Sequence, residues 1–422
     1  MHAARDRHFV LLQGPTNLLF AKLAGRLRAR GHPVDRINAC IGDQLFWRGP
    51  GALDFRGRAE EWPRFVADHF DRHGVTDLVL LGEKRDRHRE AIAAAHARGI
   101  AVTVTDFGYL RPDWIVVERD GLNGDSHFPR DAASILASAR GLPAIDRRIL
   151  YPHRPVNQAL WDMGFHLSSA FFPFTFPHFR RHTLNHPLPN YLATAWRLAR
   201  SPLEERRARA LATRLQAGAE SYLFAMQMED DYSLRGYSRY PDLDSAMDEA
   251  IRSFAVHAPA GSQLIFKSHP LDPGLKRWQA RLSRMANAAG AGERIHFMDG
   301  GDLDAMIRAS RGLVTVNSTA GLRALELGRP TIALGETIYR VPGLAFAGTL
   351  DDFWTGAPKP DVDLVDAALR LMAAMLHVRG SMYDPRGIEA AADGMAYRLH
   401  HGLVNAPLAQ PLLGERLALD PQ

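Results

Sequence analysis

Thiols are nearly absent. Among 422 residues there is one cysteine, Cys40, which excludes an internal disulfide and suits a reducing, cytoplasmic setting. Also missing is any uninterrupted apolar run of the ~20 residues that span a bilayer. The opening residues, MHAARDRH, run straight into a first expected strand and leave no room for a secretory signal. No G-x-G-x-x-G follows a strand, so a dinucleotide is not expected. The net charge is only +5, and no Arg/Lys stripe with interleaved aromatics appears, so nucleic acid is excluded as the expected partner. An anionic small molecule or an anionic membrane surface fits this mild excess better. Repeats and low-complexity segments are absent as well.

What remains is ordinary globular composition, 46% hydrophobic and 23% charged, in a chain too long for one core. Strands are expected at 8–13, 34–39, 77–81 and 100–105, alternating with amphipathic helices at 17–30, 59–73 and 87–98. This β-α-β-α order reads as a parallel sheet. Residues 48–58 read as a Gly/Pro/Arg loop. A second series of strands is expected at 221–228, 264–269, 294–298, 312–316 and 331–334, again separated by helices. Two helices form the expected tail, the last at 388–400. The division expected is 1–215, with a helical and aromatic excursion over 151–215, then 216–380, then a helical tail 381–422. The fold class expected is α/β: two Rossmann-like, doubly wound domains facing across a cleft, which resembles the GT-B arrangement of glycosyltransferases.

In an open parallel sheet, ligands sit outside the carboxyl ends of the strands. One such end reads Lys267-Ser268-His269-Pro270, cationic and stopped by proline. Another reads Asn317-Ser318-Thr319-Ala320-Gly321, hydroxylic and opening a helix, whose free N–H groups favour anions. The pair reads as a cradle for a phosphorylated ligand, with no evident metal cage. Asp242-Leu243-Asp244 and Asp302-Leu303-Asp304 match a D-x-D string, but both stand at helix starts, where acids cap. No metal is therefore expected. A third strand end carries Gln227 and the acidic triplet Glu229, Asp230 and Asp231. In the first domain the loop Gln13-Gly14-Pro15 and the stretch from Asp106 through Arg111 occupy the corresponding ends. Residues 170–181 place five phenylalanines beside Arg180 and Arg181, either a packed excursion or an interfacial patch.

The motifs Gln13-Gly14-Pro15, Gly108-Tyr109-Leu110-Arg111-Pro112, Glu118 with Gly121-Leu122-Asn123-Gly124-Asp125-Ser126, Gln227 with Glu229-Asp230-Asp231, Lys267-Ser268-His269-Pro270 and Asn317-Ser318-Thr319-Ala320-Gly321 occur in this order. Together they resemble the bacterial capsule polysaccharide synthesis family, whose KpsS- and KpsC-type members are β-Kdo transferases; the length resembles the KpsS type. The resemblance implies CMP-Kdo as donor, retention at the anomeric carbon, and a phosphatidylglycerol-type lipid acceptor on which a β-Kdo linker for capsular polysaccharide is built. It implies a cytoplasmic protein, peripheral on the inner face of the inner membrane, with a partner Kdo transferase and the capsule export complex as partners. A more distant resemblance to CMP-sialic acid transferases rests on Asp106-Phe107-Gly108, His269-Pro270 and Ser318-Thr319. It keeps an inverting sialic acid transferase open, and a non-catalytic assembly or export subunit is a third reading.

Under the first reading retention needs a nucleophile and an acid/base group. Asp231 is the expected nucleophile, with Asp230 as the alternative, and Asp106 the acid/base. Lys267 and His269 are expected to neutralise the departing phosphate. Asn317, Ser318, Thr319 and Gly321 hold the donor, and Glu326 takes the ribose hydroxyls. Gln13, Gly14, Arg111, Asn123 and Gln227 are placed at the acceptor side or cleft.

Overall fold

A computed structural model describes residues 7–47, 49–179, 187–216, 220–229 and 231–408. The chain forms two compact units. The first comprises residues 1–128, 138–182 and 369–422, and the second residues 129–137 and 183–368.

The first unit is built on seven strands: β1 (Phe9–Leu11), β2 (Val34–Asn38), β3 (Ala52–Asp54), β4 (Asp77–Leu81), β5 (Ala101–Phe107), β6 (Trp114–Arg119) and, from the far end of the chain, β12 (His377–Arg379). Their order across the sheet is β12-β6-β5-β4-β1-β2-β3. The five strands from β3 to β5 run parallel, while β6 and β12 are antiparallel additions. β4 reads DLVLL and is buried along its whole length, the apolar run expected of a strand covered on both faces. One cover is the helix Leu19–Ala29, which turns Leu19, Leu23 and Leu27 inward at helical spacing. Against it lies the helix Pro385–His400, whose Ile388, Ala391, Met395 and Leu399 share that core. Arg26 Nε bonds Asp393 Oδ1 at 2.7 Å across the two helices.

The second unit holds β7 (Ser221–Ala225), β8 (Gln263–Lys267), β9 (Ile295–Met298), β10 (Gly312–Thr315) and β11 (Thr331–Ala333). Their order is β11-β10-β7-β8-β9, and every pairing is parallel. Its core stacks Phe224 on Phe266 and closes around Tyr222, Phe254, Phe353 and Trp354.

Both units therefore have the doubly wound parallel sheet expected, and most strands stand within a few residues of their expected ranges. Three features differ. The 48–58 loop contains β3, paired with β2. The helix Pro385–His400, expected in a separate tail, packs within the first unit on Leu19–Ala29, and β12, expected in the second domain, joins the first unit's sheet by pairing with β6, with Arg379 bonded to buried Asp113 at 2.8 Å. The excursion does not end at 215 as part of the first domain: the helix Pro187–Gln216 belongs to the second unit, where Arg197 Nε reaches Asp299 Oδ2 at 3.0 Å.

Candidate functional site

Each sheet winds outward in both directions from a central strand, and the reversal leaves a crevice at the carboxyl ends of two neighbours. In the second unit those neighbours are β7 and β10. Beyond β7 the chain continues as Met226 and Gln227; beyond β10 it continues as Val316 and Asn317. The two side chains lock together. Gln227 Nε2 donates to Asn317 Oδ1 at 2.7 Å, and the Asn317 backbone N–H donates to Gln227 Oε1 at 2.9 Å. Asn317 Nδ2 also donates to the Ser233 carbonyl at 2.7 Å. Gln227 and Asn317 are both buried, so the switch point has a fixed polar floor.

Ser318 caps the helix Thr319–Glu326, its hydroxyl accepting from Ala320 N at 3.2 Å. Thr319, partly exposed, opens that helix. Gly321 is demanded by packing: a Cβ there would lie 2.3 Å from Tyr339 Oη, and that hydroxyl donates to the Ser318 carbonyl at 2.6 Å. The tyrosine thus pins the loop from behind. Glu326 is the last residue of the helix and pairs with Arg323. It stands about 10 Å along the axis from Thr319, at the end of the helix away from the strand tip, so the expected ribose contact is not at the switch point.

The acidic triplet divides. Asp231 caps the short helix Tyr232–Gly236, accepting from Ser233 N at 2.8 Å, and its other oxygen accepts from Gln227 Nε2 at 3.3 Å. It belongs to the same network as Asn317. Glu229 instead forms an ion pair with Lys276, which also holds Asp244 at 2.8 Å. Asp230 lies outside the described residues.

β8 flanks β7 on the side away from β10, so its loop lies about two strand spacings, roughly 10 Å, from the Asn317 loop. His269 is partly exposed there, its Nδ1 accepting from Leu271 N at 3.1 Å. Arg197 holds the His269 carbonyl at 3.3 Å. Lys267 departs from the expected phosphate contact. Its ammonium is buried and donates to the Gly300 carbonyl at 2.9 Å, and burial pushes its pKa down. Both D-x-D strings are occupied in helix capping and ion pairs, Asp242 and Asp302 as N-caps, Asp244 with Lys276, and Asp304 with Arg323.

The first unit has its own switch point, between β1 and β4. Gln13 is buried there, bonded to Arg85 Nη1 at 2.6 Å and to Asp43 Oδ1 at 3.0 Å. Gly14 is required by the Phe20 ring, which a Cβ would meet at 2.6 Å. Asp106, next to last in β5, is partly buried, with its Oδ1 accepting from Phe107 N at 2.7 Å. Arg111 is exposed, its guanidinium 4.9 Å from the Phe107 ring centroid. Asn123 is buried: its backbone N–H donates to Tyr109 Oη at 3.0 Å, and Tyr109 donates to Glu118 at 2.9 Å. The Gly108–Pro112 and Glu118–Ser126 motifs are thus joined by one buried network, completed by Ser126 on Glu118.

Sequence reasoning missed one buried acid of this unit. Asp162, on the helix Pro155–Phe171, accepts from Thr16, and burial pushes its carboxyl above the usual range. Tyr383 lies in the field of both Asp162 and Asp106, and burial raises its phenol strongly. A raised carboxyl at a sheet's carboxyl edge suits proton transfer. The sequence does carry a signal: Asp162 is the sole acid between Asp146 and Glu204.

A family model described as capsule polysaccharide biosynthesis protein matches residues 76–383. The chain is 30% identical over 366 residues to the capsule polysaccharide export protein KpsS of Escherichia coli, covering 85% of this chain and 92% of that one. It is 26% identical over 390 residues to the capsule polysaccharide modification protein LipB of Neisseria meningitidis serogroup B, covering 89% and 92%. Among solved structures, it is similar to a KpsC β-Kdo 2,7 transferase of Thermosulfurimonas dismutans, with 12% identity and a TM-score of 0.45 over 94% of this chain and 99% of that one.

Proposed function

Because the chain belongs to the family of capsule polysaccharide biosynthesis proteins, as its six short motifs led one to expect, we propose that it is a glycosyltransferase moving Kdo from CMP-Kdo to a phosphatidylglycerol-type lipid. The transfer retains configuration and builds the β-Kdo linker of capsular polysaccharide. It proceeds without a metal, at the inner face of the inner membrane, alongside a partner Kdo transferase and the capsule export complex.

The observation that carries this reading is the rigid Gln227–Asn317 floor at the second unit's switch point, beside the helix opened by Ser318 and Thr319. Free N–H groups and hydroxyls there suit one phosphate or the sugar carboxylate, and His269 adds a partly exposed imidazole one loop away. Asp231 or Asp230 attacks the anomeric carbon as CMP leaves. Asp106, or alternatively Asp162, takes the proton of the acceptor hydroxyl that displaces the carboxylate.

One observation favours a second reading, a non-catalytic assembly subunit: Lys267, Glu229 and Asp231 all have structural partners of their own. Incubation with CMP-Kdo and lyso-phosphatidylglycerol separates the two, with product mass and anomeric configuration determined. A β-Kdo lipid whose yield is unchanged by EDTA supports the proposal. Product from CMP-sialic acid alone would replace the donor. No product from either, with no thermal protection by CMP, would leave the scaffold reading.

A further inference from the structure

The Lys267–Pro270 loop of the second unit is held by a helix that precedes every strand of its sheet. The helix Pro187–Gln216 seats Ala208 and Leu211 in that unit's core, with Leu223 and Met298. From it Arg197 makes four hydrogen bonds. Two reach the Asp299 carboxylate just past β9: Nε to Oδ2 at 3.0 Å, and Nη2 to Oδ1. The other two reach backbone carbonyls of the loop: Nη2 to His269 at 3.3 Å, and Nη1 to Pro270.

The first two residues of the loop are tied to the turn after β9. Lys267 Nζ donates to the Gly300 carbonyl at 2.9 Å, and Ser268 Oγ donates to Asp299 Oδ1 at 2.6 Å. That turn is anchored to the same helix, because Glu205 accepts from Gly301 N at 3.0 Å. Burial works to raise the Asp299 carboxyl, but the bonds from Arg197 and Ser268 outweigh it and hold it below the usual carboxylate range. Lys267 and Ser268 are buried in this work, while His269 is partly exposed. The imidazole is set by its own backbone. Its Nδ1 accepts from Leu271 N at 3.1 Å, and its carbonyl accepts from Asp272 N at 3.0 Å as well as from Arg197. An accepting Nδ1 leaves the ring proton on Nε2, which is then a hydrogen-bond donor.

We propose that Arg197 is a positioning residue: its guanidinium fixes the backbone of His269 and Pro270 and thereby sets the direction of the His269 Nε2–H. The use of that N–H on a donor phosphate rests on the function proposed above. The physical reason for an arginine is its planar fork, which serves a carboxylate with two parallel bonds and still has N–H groups for the carbonyls. A binding group has to be held within a fraction of an ångström to be effective, and neighbours that lock it are part of the site.

The test joins amide hydrogen exchange without ligand to calorimetric titration with CMP. It uses the full chain as wild type, Arg197→Ala, Arg197→Lys, His269→Ala and the double alanine variant. In Arg197→Ala the Leu271 and Asp272 amides should exchange ~10-fold faster. CMP affinity should fall ~10-fold in the same variant. That fall should vanish in the His269→Ala background, because both changes remove one contact. Arg197→Lys should keep the Asp299 ion pair, and with it the wild-type urea midpoint, yet still lose CMP affinity, since one ammonium cannot serve the carboxylate and both carbonyls. A merely structural arginine would move midpoint and affinity together. Wild-type exchange in Arg197→Ala overturns the proposal, as does a loss of CMP affinity that persists in full without His269. A wild type that binds no CMP overturns the donor reading instead, and faster exchange in Arg197→Ala then still upholds the positioning role.

Discussion

Asn317 spends its whole amide and its own N–H on three hydrogen bonds, to Gln227 twice and to Ser233. Replacing it by alanine removes one of two hydrogen bonds at Gln227 Nε2, which keeps Asp231, and one of two at the Ser233 carbonyl, which keeps the Tyr237 N–H, at a cost of about 1–3 kcal/mol for the pair. Asn317→Ala is therefore expected to lower the urea midpoint and to abolish the thermal protection by CMP. Protection equal to wild type would detach this floor from donor binding. In the first unit the question is which carboxyl moves the proton. Asp106→Asn and Asp162→Asn are predicted to differ, the true acid/base losing about 100-fold or more in kcat with KM for the donor little changed. Equal, mild losses in both would remove acid/base catalysis from this edge.

At the scale of elements, the joint between β12 and its sheet is a buried ion pair. Arg379 and Asp113 have side chains only 2% exposed, and Asp113 also accepts from Leu150 N at 2.7 Å. Burial already pulls the Arg379 pKa down, and Asp113 is the largest influence holding it up. Removing one partner from such a pair leaves a charge without its counterion. Asp113→Ala should therefore cost about 3–5 kcal/mol, read from chemical denaturation, while Asp146→Ala, whose oxygen is 4.0 Å from Arg379, should cost far less. The helix after β10 depends in the same way on a missing side chain. Gly321→Ala drives a methyl into Tyr339, and its cost should shrink in a Tyr339→Phe background, as expected for two residues in contact.

The first unit as a whole closes through the chain's far end, and this makes it sensitive to acid. His377 is buried on β12, its Nδ1 facing the Met372 carbonyl at 2.7 Å and its Nε2 accepting the Tyr109 N–H at 2.9 Å. Burial lowers its pKa to about 4. A proton on Nε2 would oppose the Tyr109 N–H, so the folded state favours the neutral ring. The stabilisation is present above the unfolded value of 6.5, declines as pH falls, and is fully lost once pH passes below about 4. The size is about 3 kcal/mol. Unfolding free energies measured from pH 7 to pH 4 should show this slope in wild type and lack it in His377→Gln; parallel slopes would assign the acid sensitivity elsewhere.

Local pattern was enough to read much of this protein. Continuous apolar runs such as DLVLL and SYLFA marked the buried strands, and glycines, prolines and capping acids marked where helices begin and end, because those signals depend on neighbours in the chain. The loops at strand ends, with Gln13, Asp106, Gln227, Asp231, His269 and Asn317, were legible for the same reason: in a parallel sheet the carboxyl ends carry the chemistry. Partner choice was not legible. That Lys267 turns to the Gly300 carbonyl, that Asp231 caps a helix and meets Gln227, that Glu326 ends at the far side of its helix, and that Asp162 is buried against Thr16 depend on which residues face one another in space. So does β12: three residues, His377 to Arg379, too short and too polar to announce a strand, become one because β6 offers an open edge and Asp113 a buried carboxylate. Chain order set the elements through short-range sterics and hydrophobic periodicity; long-range packing alone decided which polar groups were spent on the fold and which remained at the switch points.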